Sequence, residues 1–190
     1  MRIRLASPLQ PDSIVDGAGI RTVIWTQGCG HHCPGCHNPE THDFDKGFEV
    51  DIEEIKQEIS KVEMQDGITL SGGDPFFQIE ASNEIAKFAK EQGLNVWAYT
   101  GFTFEKLYKM SQQNETLQEF LDNIDVLVDG RFEQDKKSLN LHFRGSTNQR
   151  ILDVKESMLC GQAIEMEQYD KKEIWSAYSR VSYVSNGIYI

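Results

Sequence analysis

The sequence predicts an α/β fold around a parallel sheet, because short apolar strand segments alternate with amphipathic helical segments along most of the chain. Connections of this kind form right-handed β-α-β units, which make successive strands parallel. A closed eight-stranded barrel of such units takes about 250 residues, whereas this chain has 190. We therefore expect one domain, residues 1–190, built on an incomplete, open-sided parallel (β/α) barrel.

The first predicted strand covers residues 21–26, which are rich in β-branched and aromatic side chains and lead into Gly28. A helix is predicted to follow, with Asp51 as its N-cap. Four aliphatic residues at helical spacing give this helix its buried face; they are Ile52, Ile55, Ile59 and Val62. Residues 68–70 form a second strand, which runs directly into two glycines.

The same alternation continues through the second half of the chain. Predicted helices cover residues 79–92, 103–110 and 115–121, and predicted strands cover residues 94–99 and 124–128. Each strand is short and mostly apolar, as expected when helices cover the sheet. Residues 156–190 carry no recognisable motif and are assigned as a C-terminal extension. We expect its aromatic end, residues 171–190, to cover the open edge of the barrel, and docking of a partner is the alternative.

Charge and cysteine content restrict the function classes. The formal net charge of −11 argues against nucleic acid as a partner, because binding to phosphates requires Lys and Arg. No apolar run approaches the roughly 20 residues of a membrane helix, and no signal peptide is recognisable. Three of the four cysteines are crowded into one loop, which does not suggest a disulfide framework. We expect a cytoplasmic protein without nucleic-acid or membrane partners.

The cysteine loop, residues 27–39, is the most informative segment. Its thiols follow the spacing C-x3-C-x2-C; they belong to Cys29, Cys33 and Cys36. A [4Fe–4S] cluster is normally held by four cysteines, and a structural zinc by four Cys or His ligands. Three closely spaced thiolates therefore favour a cluster whose fourth iron stays open to a small molecule.

Two other interpretations of this loop stay open. One is a zinc knuckle completed by a nearby histidine, for which the candidates are His31, His32 and His37. The other is a simple electron carrier with four protein ligands, although we do not expect Cys160 to serve as a fourth ligand. Outside the zinc alternative, we expect His31 and His32 to be solvated residues of the loop.

Five segments carry a resemblance to a known family. They are residues 15–22, 33–41, 70–75, 128–132 and 144–151, and they occur in that order. The cysteine spacing, followed by a Gly-Gly-acidic strand end, resembles the radical S-adenosylmethionine superfamily. All five segments together resemble the activating enzymes of glycyl-radical enzymes. The last two are similar to the activators of anaerobic ribonucleoside-triphosphate reductase, and the match covers about residues 13–155.

The resemblance implies a reaction and its cofactors. One [4Fe–4S] cluster and S-adenosylmethionine are implied, together with the open-sided barrel of radical S-adenosylmethionine enzymes. The implied enzyme cleaves S-adenosylmethionine reductively and generates a glycyl radical on anaerobic ribonucleoside-triphosphate reductase. A low-potential electron donor such as a flavodoxin or ferredoxin is the second implied partner. An activase of pyruvate formate-lyase, or of another glycyl-radical enzyme, is the alternative within this class.

Strand ends and the resemblance together indicate the site residues. The predicted metal ligands are Cys29, Cys33 and Cys36, with no catalytic side chain beyond the cluster. The predicted cofactor-binding residues are Gly35, Cys36, His37, Gly72, Gly73, Asp74, Thr100, Asp129 and Asn148. Gly72 and Gly73 lack a Cβ and permit close approach of the cofactor. Asp74, which stands where many relatives have Glu, is placed to attract the methionyl amine.

Overall fold

The computed structural model describes residues 1–169, and an eight-stranded mixed sheet forms its centre. The strands are β1 (Arg2–Leu5), β2 (Gln10–Ser13), β3 (Arg21–Thr26), β4 (Phe48–Asp51), β5 (Gly67–Gly72), β6 (Asn95–Tyr99), β7 (Val126–Asp129) and β8 (Arg150–Asp153). Their order across the sheet is β4-β1-β3-β5-β6-β7-β8, and β2 pairs with β3 beside β1. Strands β4 and β8 end this order without pairing to each other, so the sheet of the described residues is open.

The parallel part of the sheet consists of β3, β5, β6 and β7. These are the four strands that the sequence predicts, and β3 has the predicted bounds. The expected parallel pairing is confirmed for these four strands, whereas the sheet as a whole is mixed, because β1, β2, β4 and β8 all pair antiparallel to their neighbours. In the register of β3 with β5, Thr26 lies opposite Gly72. The segments that follow these two strands therefore start side by side.

Five helices pack around the sheet of the described residues. They are α1 (Ile52–Lys61), α2 (Ile79–Glu91), α3 (Phe104–Ser111), α4 (Glu115–Asp122) and α5 (Val154–Cys160). The predicted cap of α1 is confirmed, since the Asp51 side chain accepts a hydrogen bond from the backbone N–H of Glu53. Three isoleucines form the buried face of α1 and join the main core; they are Ile52, Ile55 and Ile59. Val62 lies just beyond the helix end and is only half-buried.

A buried arginine secures the amino ends of the parallel strands. Arg21 is 1% exposed, and its guanidinium donates hydrogen bonds to carbonyl oxygens of Ala18, Ile68 and Asn95. The guanidinium carbon also lies 5.4 Å from the centre of the Trp97 ring. Burial lowers the pKa of Arg21 to about 10. This polar cluster ties three neighbouring strands together at the end of the sheet opposite the site described below.

Two further expectations concern the C-terminal extension and membrane-spanning segments. The predicted C-terminal extension begins within α5, and the proposed role of residues 171–190 lies outside the described residues. Among residues 1–169, every helix is too short or too polar to traverse a bilayer.

Candidate functional site

An open cavity of about 430 Å³ lies at the carboxyl ends of the parallel strands. Its wall includes all three cysteines of the loop: Cys29, Cys33 and Cys36. The residues that follow the other parallel strands complete it; among them are Gly72, Gly73, Thr100, Gly101 and Gly130. The structure thus brings together the cysteine loop and the strand ends, which are far apart in the sequence.

The backbone of the cysteine loop is fixed at its beginning. The N–H of Gly28 donates to the carbonyl oxygen of Thr41 at 2.8 Å, and the N–H of Cys29 donates to that of His42 at 3.1 Å. Farther along, the N–H of Cys36 donates to the carbonyl oxygen of Cys33 at 3.1 Å, which closes a tight turn. These bonds hold the loop against the segment that follows it, with the thiols toward the cavity.

Burial raises the pKa of two of these thiols, those of Cys29 and Cys33, in the metal-free protein. Cys29 is 8% exposed, and burial raises the pKa of its thiol to about 11, although the backbone N–H of His31 acts in the opposite direction. Burial also raises the pKa of the Cys33 thiol. Metal ligands must be thiolates, so binding of a metal here has to release protons.

The three cysteines of the loop line one cavity, as ligands of a shared metal group would. Within residues 1–169, no three His, Cys, Asp or Glu side chains converge as one metal ion requires. A zinc knuckle needs four ligands at about 2.0–2.3 Å from one point. In a cubane cluster each thiolate binds a different iron, so three cysteines on the wall of one cavity are suitable ligands.

His31 contradicts the expectation that it is solvated. Its side chain is only 5% exposed, and its Nε2 lies 2.8 Å from Oδ2 of Asp74. The ring contacts the edges of two phenylalanine rings, Phe77 and Phe102. His32 is exposed, as expected. His37, the third zinc candidate, lines the cavity with its ring 4.8 Å from that of Phe132.

Asp74 is completely buried and its carboxylate does not line the cavity. Besides the His31 contact, Oδ2 accepts hydrogen bonds from Thr100 Oγ1 at 2.9 Å and from the N–H of Gly101 at 3.0 Å. Oδ1 accepts from the N–H of Phe76 at 2.9 Å. The protein itself therefore occupies both carboxylate oxygens, whereas the sequence prediction directed them to the cofactor.

The two glycines before Asp74 are needed for close contact between backbones. The N–H of Gly73 donates to the carbonyl oxygen of Thr26 at 2.7 Å. A Cβ on Gly73 would lie 2.4 Å from the carbonyl oxygen of Gly28, and one on Gly72 would lie 2.6 Å from that of Thr26. Gly72 also has φ of +94°, a conformation that favours glycine. The end of β5 is thus packed directly against the start of the cysteine loop.

Asp129 lies in a different environment, beside a second cavity of about 540 Å³. It is 1% exposed and accepts a hydrogen bond from the N–H of Phe104 at 2.8 Å. The Arg150 guanidinium donates to both of its carboxylate oxygens, at 3.0 and 2.5 Å. The same guanidinium donates to Glu105 at 2.9 and 3.0 Å, which lowers the pKa of Glu105 to about 2. Asp129 is therefore paired within the protein.

Asn148 also lines this second cavity. Its Nδ2 donates to the carbonyl oxygen of Arg131 at 2.8 Å. Its Oδ1 is buried and has no hydrogen-bond partner among the described residues. Three residues line both cavities and therefore mark where they adjoin: His31, Gly101 and Gly130.

The predicted cofactor-binding residues divide into two groups. Those on the wall of the first cavity are Cys36, His37, Gly72, Gly73 and Thr100. Those outside it are Gly35, Asp74, Asp129 and Asn148. Wall residues that the sequence prediction did not select include Trp25, His42, Ser71 and Gln149. Ser71 could have been found from its position directly before the glycine pair. Cys160 is exposed on α5 and lines neither cavity.

Comparison with known proteins gives a consistent assignment. Residues 15–152 match a family described as a 4Fe-4S single cluster domain. A curated relative from Salmonella typhimurium is 36% identical over 149 residues, covering 74% of this chain and 93% of the relative. The relative from Escherichia coli strain K12 is 35% identical over 150 residues, with the same coverage. A relative from Enterobacteria phage T4 is 33% identical over 153 residues, covering 75% of this chain and 90% of its own.

All three relatives are named anaerobic ribonucleoside-triphosphate reductase-activating protein. Among solved structures, QueE from Escherichia coli aligns with a TM-score of 0.46 at 16% identity, over 54% of each chain. The family match spans the cysteine loop and every parallel strand, and the curated relatives are matched over nearly their whole length. The chain therefore belongs to the 4Fe-4S single cluster domain family and to the family of the anaerobic ribonucleoside-triphosphate reductase-activating proteins.

Proposed function

We propose that this chain cleaves S-adenosylmethionine reductively and generates a glycyl radical on an anaerobic ribonucleoside-triphosphate reductase. The observation that carries the proposal is the meeting of three thiols from one loop with the glycine end of β5 in a single cavity. The names of the curated relatives support the choice of reductase over pyruvate formate-lyase as the protein substrate.

In this proposal Cys29, Cys33 and Cys36 each hold one iron of a [4Fe–4S] cluster, and one iron has no protein ligand. When bound, the cluster supplies an electron at low potential for cleavage of the sulfonium S–C5′ bond. The protein contributes position, because a cavity that holds the sulfonium beside the loop makes electron transfer effectively intramolecular. A flavodoxin or ferredoxin is the proposed electron donor.

The residues on the cavity wall are the proposed contacts for S-adenosylmethionine. They are Cys36, His37, Gly72, Gly73 and Thr100. Gly35 would act by shaping the turn of the loop, since its φ of +73° is accessible to glycine. Asp74 would act from behind the wall through its hydrogen bonds. Asp129 and Asn148 would shape the neighbouring cavity rather than contact the methionyl group.

An open sheet suits a protein substrate. Hydrogen removal from a backbone glycine requires a loop of the partner to reach the cavity, and a closed barrel would obstruct that loop. We interpret the open sheet as the incomplete barrel of the radical S-adenosylmethionine type. We place the reaction in the reducing cytoplasm, without nucleic-acid or membrane partners, because the cysteines are grouped as ligands and the formal net charge is −11.

The test is an activation assay under anaerobic conditions. The reconstituted protein, dithionite, S-adenosylmethionine and the reductase of the same organism should give a glycyl-radical signal in electron paramagnetic resonance. Methionine and 5′-deoxyadenosine should form in equal amounts with the radical. Cys36→Ala should abolish iron binding and the signal, whereas Cys160→Ala, a change at an exposed thiol outside both cavities, should preserve both. A radical on pyruvate formate-lyase and none on the reductase would contradict the proposed substrate.

A further inference from the structure

His31 is a buried polar residue inside the cysteine loop, on the wall of both cavities, to which the proposed reaction assigns no role. It lies between Cys29 and Cys33, directly before His32, which is exposed. The side chain of His31 is instead 5% exposed and turned inward. A buried imidazole needs hydrogen-bond partners, so this orientation has to be stabilised by specific contacts.

The imidazole ring is held in one orientation by aromatic and backbone contacts. Its centre lies 4.6 Å from that of Phe102 at an interplanar angle of 76°, and 5.5 Å from that of Phe77 at 60°. Both are favourable edge-on arrangements. Gly101 leaves room for the ring, because a Cβ there would lie 2.4 Å from Cδ2 of His31. The site is thus shaped around the imidazole.

The polar edge of the ring joins the cysteine loop to two strand ends. Nε2 lies 2.8 Å from Oδ2 of Asp74, and a carboxylate oxygen accepts, so Nε2 donates. The same Oδ2 accepts from Thr100 Oγ1 and from the N–H of Gly101, which follow β6. Asp74 itself follows the glycine pair at the end of β5. One carboxylate oxygen therefore connects the cysteine loop, β5 and β6.

We infer that His31 is a positioning residue, whose hydrogen bond to Asp74 fixes the thiols relative to the glycine wall, that is, Gly72 and Gly73 at the end of β5. The inference rests on the proposed function, since that wall is the proposed contact for the methionyl group. Without the bond, the start of the loop keeps its backbone attachment to the end of β5, where the N–H of Asp74 donates to the carbonyl oxygen of Gly28 at 3.0 Å. The segment between Cys29 and Cys33 loses the side-chain attachment to Asp74. The cluster can still assemble, but the cofactor binds less tightly.

The neighbouring histidine supplies a matched control. His32 is exposed, and its ring centre lies 5.3 Å from that of His42, in the segment that follows the loop. It adopts a φ of +49°, so a substitution there should keep a side chain that tolerates this conformation. His32→Asn meets that condition, because Asn is enriched in the left-handed region. This variant alters the loop without touching the bond to Asp74.

Three variants separate the hydrogen bond from packing and from general effects on the loop. His31→Leu keeps much of the bulk and removes the donor. His31→Gln places an amide N–H near the position of Nε2 and restores the donor. His32→Asn is the control. Hydrogen–deuterium exchange is measured on residues 29–36 of the metal-free protein, and iron content and S-adenosylmethionine affinity are measured on the reconstituted protein.

We expect His31→Leu to exchange faster across residues 29–36 and to bind S-adenosylmethionine about tenfold more weakly. A hydrogen bond to a charged group shifts the equilibrium between the attached and the detached loop by at least that factor, and only the attached loop holds the thiols beside the cofactor. Its iron content should stay close to that of the wild type. His31→Gln should recover most of both losses, and His32→Asn should match the wild type in affinity.

Wild-type exchange and affinity in His31→Leu would overturn the inference. So would equal losses in the Leu and Gln variants, because the ring would then act by packing alone. Failure of the wild-type protein to bind S-adenosylmethionine would instead contradict the proposed function. In that event the exchange of the metal-free variants would still decide whether His31 fixes the loop.

Discussion

Two buried aspartates lie at the carboxyl ends of parallel strands of this sheet, and they stabilise different regions. Asp74 follows β5 and is 0% exposed; its partners are an imidazole, a hydroxyl and backbone N–H groups. Asp129 ends β7 and is 1% exposed; its main partner is the guanidinium of Arg150. One carboxylate holds a loop that carries metal ligands. The other holds the first turn of α3 and the strand β8.

The difference shows that an acidic residue at a strand end does not by itself indicate a ligand contact. The sequence prediction gave both aspartates a role at the cofactor, yet in both the carboxylate oxygens are occupied by the protein. Their partners indicate what each one stabilises. The ion pair between Asp129 and Arg150 joins strands β7 and β8, so its loss should reduce the free energy of unfolding. Hydrogen bonds from a loop should instead affect the site.

The largest expected effect on stability is at Arg150. Arg150→Met removes the partner of Asp129 and leaves a carboxylate buried without its counter-charge. Breaking such a pair costs about 3 kcal/mol, toward the lower end of the range because the Arg150 side chain is 26% exposed. Urea denaturation of the metal-free protein measures the loss. Iron content per folded molecule should be unchanged, because no thiol depends on this pair.

The control for Arg150 is an exposed ion pair that lines neither cavity. Arg2 and Glu49 have side chains 63% and 43% exposed, so Arg2→Met should cost less than about 1 kcal/mol. Equal losses of stability in the two arginine variants would show that the partly buried pair of Arg150 with Asp129 contributes no more than an exposed ion pair. A loss of iron in Arg150→Met would show that Asp129, like Asp74, affects the cysteine loop.

An intermediate effect is expected at the contact between β5 and the cysteine loop. In Gly73→Ala the added Cβ meets the carbonyl oxygen of Gly28 at 2.4 Å, so the two backbones must separate. Overpacking of this kind costs about 1–3 kcal/mol. Because the displaced segment leads into Cys29, the variant should also lose iron after reconstitution, which Arg150→Met should not. Iron analysis and urea denaturation measure the two effects.

Gly93→Ala is the matched control for Gly73. Gly93 has φ of +77° with no atom within 4 Å of an added Cβ, so the substitution adds backbone strain without a contact. It should lower stability by about 1 kcal/mol and leave the iron content unchanged. Full iron retention in Gly73→Ala would show that the loop tolerates separation from β5.

Local sequence signals predicted the central part of the fold. Residues 22–26 are β-branched or aromatic and form β3 together with Arg21, and Asp51 caps α1 as its position before an amphipathic run indicates. Strand β2 could not be found in this way, because Gln10–Ser13 is polar and contains a proline. It exists through pairing with β3, and β1, β4 and β8 are likewise four-residue strands defined by antiparallel partners.

The part of the site that lies within one short segment, the cysteine loop, could be predicted from the sequence. The spacing of three cysteines is visible in the sequence, and all three thiols line the cavity. The orientation of His31 was not visible, since it depends on Phe77, Phe102 and Asp74, which are 43 or more positions away. The sequence equally could not show that hydrogen-bond donors of the protein itself occupy the carboxylate oxygens of Asp74 and Asp129. A sequence locates a carboxylate at a strand end, and only the packed structure shows which donors reach it.

The smallest expected effect concerns Glu105, which shares Arg150 with Asp129. Hydrogen bonds from Arg150 lower the pKa of Glu105 from 4.5 to about 2. A depressed pKa means that the stabilisation is fully present above about pH 4.5 and is lost as the pH falls toward 2. The side chain is 55% exposed, so solvent screening limits the contribution to less than about 1 kcal/mol.

Urea denaturation of the metal-free wild type and Glu105→Gln tests this sharing of Arg150. The wild type should be the more stable protein at pH 6, and the difference should shrink by pH 3, since Glu105 of the unfolded state is protonated below about pH 4.5 while the folded protein still holds it ionised. A difference that does not change with pH would mean that Glu105 acts through contacts of its neutral atoms. The charge of Arg150 would then act mainly on Asp129. The contact between β7 and β8 would be stabilised by that one ion pair, rather than by a guanidinium shared between a buried and an exposed carboxylate.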